Sequence, residues 1–177
     1  GLWHLEQSYM PSMIKNISYD TICHEHLEYY SLETIKFIFD CVGFKIIDLE
    51  FNDINGGSFS ITVAKKKSKF KEYTKILNWL LEREKILDYN STSTHLNFYK
   101  NIKKHKRLLR DLISNLKDMK KKVIGYGAST KGNVILQYCN ITKKDLSFIA
   151  DVNKYKKNKY TPGSLIKITD EKAIKKY

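Results

Sequence analysis

Lys122-Val123-Ile124-Gly125-Tyr126-Gly127-Ala128-Ser129-Thr130-Lys131-Gly132-Asn133 runs from β-branched residues through a glycine turn into a stretch with helical spacing at Val134, Ile135 and Tyr138. A strand that passes into a helix in this way is the building unit of an α/β fold. Glycines permit the tight turn, and the amides at a helix start favour anions. The spacing is Gly-x-Gly-x-x-x-x-Gly, not the dinucleotide fingerprint. Two readings therefore stand side by side, a nucleotide site and a plain strand-to-helix junction. Leu146 to Ala150 reads as the next strand. Asp151-Val152-Asn153 follows it, where an acidic residue often meets a ribose and where it equally caps a turn. Tyr160-Thr161-Pro162-Gly163 is a turn signal first and a ligand loop second.

Upstream, about Phe70 to Lys122 is helical. Tyr73, Ile76, Leu77, Leu80 and Leu81 form one apolar face; Leu96, Tyr99, Ile102, Leu108, Leu109, Leu112, Ile113 and Leu116 form a longer stripe, which reads as packing. Ser91, Thr92 and Thr94 are candidate caps between the two helices. Further back, a strand is expected at Leu2 to Glu6, a short helix near Pro11 to Lys15, and a helix from Leu32 to Cys41. In that last helix Ser31 and Thr34 flank the start, Gly43 ends it, and Leu32, Ile35, Phe39 and Val42 recur at helical spacing. Phe44 to Phe51 and Phe59 to Ala64 read as two strands joined by Asn52-Asp53-Ile54-Asn55-Gly56-Gly57, a loop of turn formers. Three zones result: 1–66, 67–121 and 122–177.

With 177 residues the chain is long enough for one or two small domains. It has no amino-terminal apolar signal stretch and no apolar run long enough to cross a membrane. Three irregularly spaced cysteines point to a reducing, cytoplasmic setting. The formal net charge of +13 raises nucleic acid as a partner. However, the lysines are scattered and match no recognisable RNA or DNA module, so a basic RNA-associated protein remains a secondary reading. Part of the positive field suits a diphosphate-linked ligand.

Chemistry is most concentrated at Tyr19-Asp20-Thr21-Ile22-Cys23-His24-Glu25-His26-Leu27-Glu28-Tyr29-Tyr30. Two imidazoles flank a carboxylate, the group types that move a proton near neutral pH. A solvated loop is the plain alternative. A metal site is the other, but neighbouring residues point different ways, which argues against it.

This stretch, together with Glu6-Gln7-Ser8-Tyr9-Met10-Pro11-Ser12-Met13, Asn55-Gly56-Gly57-Ser58, the Gly125 to Asn133 turn and Asp151 to Gly163, resembles the S-adenosylmethionine-dependent sugar C-methyltransferases, in order along nearly the whole chain. The resemblance implies an acceptor that is a nucleotide-diphosphate-linked keto-deoxysugar. A histidine removes the proton next to its ketone, and the enolate attacks the sulfonium methyl. By that resemblance His26 is the base and Glu25 its supporting neighbour. Cys23, His24, Tyr29, Tyr30, Asn55, Gly56 and Gly57 line the substrate pocket, and Ser129, Thr130 and Lys131 contact diphosphate or sugar. Some members have tyrosine where this chain has Cys23, and some have histidine where it has Asn55.

The fold implied is α/β: the end of a class I methyltransferase sheet, a helical connection, and a partial Rossmann-like domain without an NAD function. The glycine-rich turn that holds S-adenosylmethionine has no counterpart before residue 19, and Cys23, Cys41 and Cys139 do not supply the family's zinc module. The expectation is an internal or truncated portion of a larger enzyme that works with its missing amino-terminal part. A sugar-nucleotide-binding module without activity of its own is the alternative.

Overall fold

The computed structural model describes residues 1–176, which form two compact units. One comprises Gly1–Tyr19 and His26–Lys100; the other comprises Asp20–Glu25 and the chain from Asn101 onward. The fold is mixed α/β.

In the first unit β1 (Leu2–Ser8), α1 (Met10–Asn16), α2 (Leu32–Cys41), β2 (Phe44–Asn52), β3 (Ser58–Lys65) and α3 (Thr74–Ile86) follow one another. The sheet order is β1-β3-β2 with both pairings antiparallel. β1 and β2 therefore run in the same direction on either side of β3. As the central strand, β3 is buried on both faces, and its Phe59, Ile61 and Val63 are fully enclosed. They pack with Leu32, Ile35 and Phe39 of α2, Ile46 and Leu49 of β2, and Leu77 of α3. Each such side chain contributes about 1.5–3 kcal/mol by leaving water.

The Ser31 hydroxyl accepts the Thr34 amide at 3.1 Å and so starts α2 at the expected place. Gly43 follows the helix with φ +80°. Val42, expected on the buried face of α2, is exposed, because the helix ends at Cys41 and Val42 already lies beyond its last turn.

α4 (Thr92–Asp118) starts where Ser91 accepts the Thr94 amide at 3.2 Å. The apolar stripe expected along it is only partly right. Leu96, Tyr99, Leu108 and Leu112 are exposed, as is Ile76 on α3. The inward face of α4 carries Phe98, Ile102 and Ile113, with Leu109 packed against the second core. These fall four and seven residues apart, one narrow seam among several apolar rows, and only tertiary packing selects it.

In the second unit β4 (Gly125–Tyr126), α5 (Thr130–Tyr138), β5 (Ile149–Ala150) and β6 (Ile168–Thr169) form a parallel sheet of order β4-β5-β6 with one adjoining helix. The strands are shorter than the β-branched runs suggested. Their hydrogen bonding nevertheless extends past the ladder, with Ser147 N–H donating to Val123 O at 3.0 Å and Gly127 N–H to Ala150 O at 2.7 Å. Ala128, Leu136, Cys139, Ile141, Leu146, Ile149 and Ile166 fill this unit's core. Among the described residues no helix is long and apolar enough to cross a membrane.

Candidate functional site

The first unit gathers part of the expected site at the start of α1, just beyond the end of β1. Tyr9 N–H donates to Gly57 O and Met10 N–H to Tyr30 O, each at 2.9 Å. Tyr9 and Tyr30 also form a parallel bridge. Tyr30 and the loop between β2 and β3 are thereby tied to one helix end. Gly57 adopts φ +122°, and a Cβ there would sit 2.6 Å from Ser12 Cβ, so the loop approaches α1 as only glycine permits. Asn16 Nδ2 donates to Gly56 O at 3.3 Å, and Asn55, with φ +56°, is exposed at the loop tip.

His26 is half-buried, and its carbonyl accepts the Tyr29 hydroxyl at 3.1 Å. The Tyr30 hydroxyl donates to the Glu28 carboxylate, and that bond is the main reason its pKa lies above the ordinary phenol value. Both phenolic protons are thus engaged.

Sequence reasoning missed the polar centre that supports this arrangement. Glu84 of α3 is almost wholly buried, and its carboxylate accepts Leu32 N–H and Glu33 N–H at 2.9 Å each and the Tyr9 hydroxyl at 2.6 Å. One side chain therefore satisfies the first amides of α2 and holds the residue that opens α1. Burial and then Glu84 push the Tyr9 pKa well above the phenol range, so Tyr9 remains a donor. The Tyr9 ring meets the rings of Phe51 and Phe59 edge-on at 4.9 and 5.6 Å. Nothing local in the sequence marks a carboxylate 52 residues from the helix it caps.

The remaining candidates fall in the second unit. Cys23 and His24 line a cleft of about 480 Å³, whose other wall is α5 through Thr130, Asn133, Val134 and Gln137. Ile22 and Pro162 complete it. Glu25 is exposed and does not line the cleft, and neither do Ser129 or Lys131. Instead the Ser129 hydroxyl caps α5 by accepting Gly132 N–H at 3.0 Å. Asn133 and Gln137 carried no sequence assignment, although their helical spacing from Thr130 was available.

Asp151 settles its own ambiguity. Its Oδ1 accepts Asn153 N–H at 2.7 Å, and its Oδ2 accepts Ala128 N–H at 2.7 Å and Lys156 Nζ at 3.1 Å. Lys156 also donates to Ala128 O at 2.8 Å. The carboxylate caps the turn after β5 and clamps the glycine loop after β4, leaving it committed to protein donors and not to a ribose. The Asn153 and Ala128 amides and then Lys156 hold its pKa below the ordinary carboxylate value, against an opposing effect of burial. A depressed folded pKa contributes stability above the unfolded value of about 3.9, lost as pH falls through the folded pKa. Protection of the Ala128 and Asn153 amides, measured against the intrinsic exchange rate at each pH, should therefore fall as pH drops below about 4, and Asp151→Asn should remove that pH dependence; an unchanged acid limb in the variant would contradict the clamp.

Among the described residues no group of three His, Cys, Asp or Glu side chains is placed to hold a metal. Residues 53–177 match the family model for the C-methyltransferase C-terminal domain. The chain belongs to the C-methyltransferase family. C-methyltransferase NovU of Streptomyces niveus is 30% identical over 168 residues, which is 95% of this chain and 40% of NovU. The C-methyltransferase chain thus spans well under half the length of that relative. Its glycine loop, α5 and the Asp151 clamp lie inside the family match, as do Asn55, Gly56 and Gly57; His26 lies ahead of it.

Proposed function

We propose that this C-methyltransferase chain binds a nucleotide-linked keto-deoxysugar and removes the proton next to its ketone, with His26 as the base. Carbon, unlike oxygen or nitrogen, carries no lone pair to attack a methyl group. A C-methyltransferase must therefore first convert a C–H bond into a nucleophile. In this reading an imidazole nitrogen of His26 takes the proton, the C–H pair becomes the enolate double bond, and negative charge collects on the former ketone oxygen. Glu25 supports the base, and Tyr29, Tyr30 and the Asn55–Gly57 loop form walls. The observation that carries the proposal is the backbone bonding of Tyr30, four residues after His26, to the start of α1 beside that loop, in a chain of this family. The donor in this reading is S-adenosylmethionine, which supplies an electrophilic methyl.

The one strand-to-helix glycine loop among the described residues does not fit an adenosyl group, because the Asp151 carboxylate is consumed by Ala128, Asn153 and Lys156. No step is assigned to this chain through the donor. The second unit is read as a Rossmann-like module that lost its ribose acceptor and kept an anion-friendly helix start at Ser129, Thr130 and Lys131. The first is read as the end of a class I sheet, which β1 and β2 running alike around an antiparallel β3 support. The three-zone division at 1–66, 67–121 and 122–177 belongs to the same reading. Calorimetry checks it: the chain should bind a nucleotide-linked keto-deoxysugar with a Kd on the order of 10 μM and S-adenosylmethionine at least 100-fold more weakly, an order-of-magnitude expectation from the missing ribose acceptor. The reverse preference would overturn both assignments.

A further inference from the structure

Three exposed large apolar side chains of the first unit, Phe51, Trp79 and Leu87, border one cavity of about 260 Å³. Single exposed apolar residues need no explanation, whereas several converging on one concavity mark a place where something binds. Two cations stand at the same cavity. Arg83 lies over the Trp79 ring, 5.0 Å from its centroid, and Lys15 lines the α1 side. Among the described residues neither is ion-paired. Contact with the indole restrains the guanidinium, whose fork of N–H donors suits a carboxylate through two parallel bonds.

Among the described residues Glu84 is the one carboxylate that lines the cavity, and its oxygens are engaged by the Tyr9 hydroxyl and the Leu32 and Glu33 amides. Two cations against one carboxylate leave a single net positive charge, which a monoanion balances. The volume lies below the roughly 300–1,000 Å³ usual for drug-sized ligands, so the cavity holds one ring and not a nucleotide. We propose that it binds a small aromatic monocarboxylate, with the ring against Trp79 and Phe51 and the carboxylate on Arg83 and Lys15. This site does not depend on the role assigned to His26.

Trp3 and Trp79 are the two tryptophans of the chain. Trp3→Phe keeps a ring against Phe39 and Phe44 and leaves Trp79 as the sole tryptophan, so its fluorescence reports on the cavity. Titration of this full chain with benzoate should change the Trp79 emission with a Kd on the order of 0.1 mM, the range open to a ligand of about ten non-hydrogen atoms. Benzamide, which keeps the ring without the charge, and acetate, which keeps the charge without the ring, should bind about 10-fold more weakly. Cyclohexanecarboxylate, which lacks the aromatic face, should bind about 5-fold more weakly. Arg83→Met should weaken benzoate about 10-fold and leave benzamide unchanged. Any of the three analogues binding as tightly as benzoate, benzoate affinity indifferent to Arg83→Met, or a Trp79 emission that does not respond to benzoate would overturn the proposal. Should Arg83→Met lose its helical circular dichroism, Lys15→Met, which removes the other cation, decides the same comparison.

Discussion

Glu84→Ala should lower the melting temperature by roughly 6–12 °C, the equivalent of about 3 kcal/mol in a chain of this size. The carboxylate accepts the Leu32 and Glu33 amides and the Tyr9 hydroxyl, and Leu32 is fully enclosed. Truncation strands three donors at once, and each buried donor left unpaired costs about 1–3 kcal/mol before water enters the gap. Tyr9→Phe removes a single bond and should cost about 1 kcal/mol. The two losses should not add, since they share one hydrogen bond. Thermal unfolding followed by circular dichroism measures both variants and their combination. A Glu84→Ala shift no larger than that of Tyr9→Phe would show that α2 does not depend on this cap.

On the proposed function, His26→Ala should reduce methyl transfer by the enzyme that contains this chain roughly 10²–10⁴-fold, the usual contribution of a positioned general base. The KM for the proposed nucleotide-linked sugar should change little, because a base acts on the transition state and contributes little to ground-state binding. Glu25→Gln should cost less, as Glu25 is exposed and in the proposed function acts only through its neighbour. Steady-state kinetics separates the two: a His26→Ala enzyme that retains kcat but loses affinity would make His26 a binding residue and leave the base to be found elsewhere.

Local signals identified much of this fold. The Ser31 cap, the glycine after α2, the strand pair around Asn52–Gly57 and the passage from Gly125 into α5 all depend on residues within a turn of one another, where periodicity and φ preferences operate. What escaped depends on distance. Glu84 reaches α2 and Tyr9 across most of the first unit, and Asp151 reaches Ala128 across 23 residues; neither leaves a periodic trace. The inward seam of α4 was likewise hidden, because Leu96, Leu108 and Leu112 are as apolar as the Phe98, Ile102 and Ile113 that packing prefers. The candidate site divides in the same way. The His-Glu-His run and the paired glycines stand out, yet the sequence gives no hint that Cys23 and His24 group with α5 in the second unit while His26 belongs to the first.

Proton removal can be observed without any methyl donor. In deuterium oxide, with S-adenosylmethionine left out, the proposed function requires the chain to exchange the hydrogen beside the ketone of a nucleotide-linked keto-deoxysugar, seen as loss of that proton resonance, and His26→Ala should leave the resonance intact over the same period. Exchange that proceeds at the native rate in His26→Ala would contradict the role assigned to this imidazole.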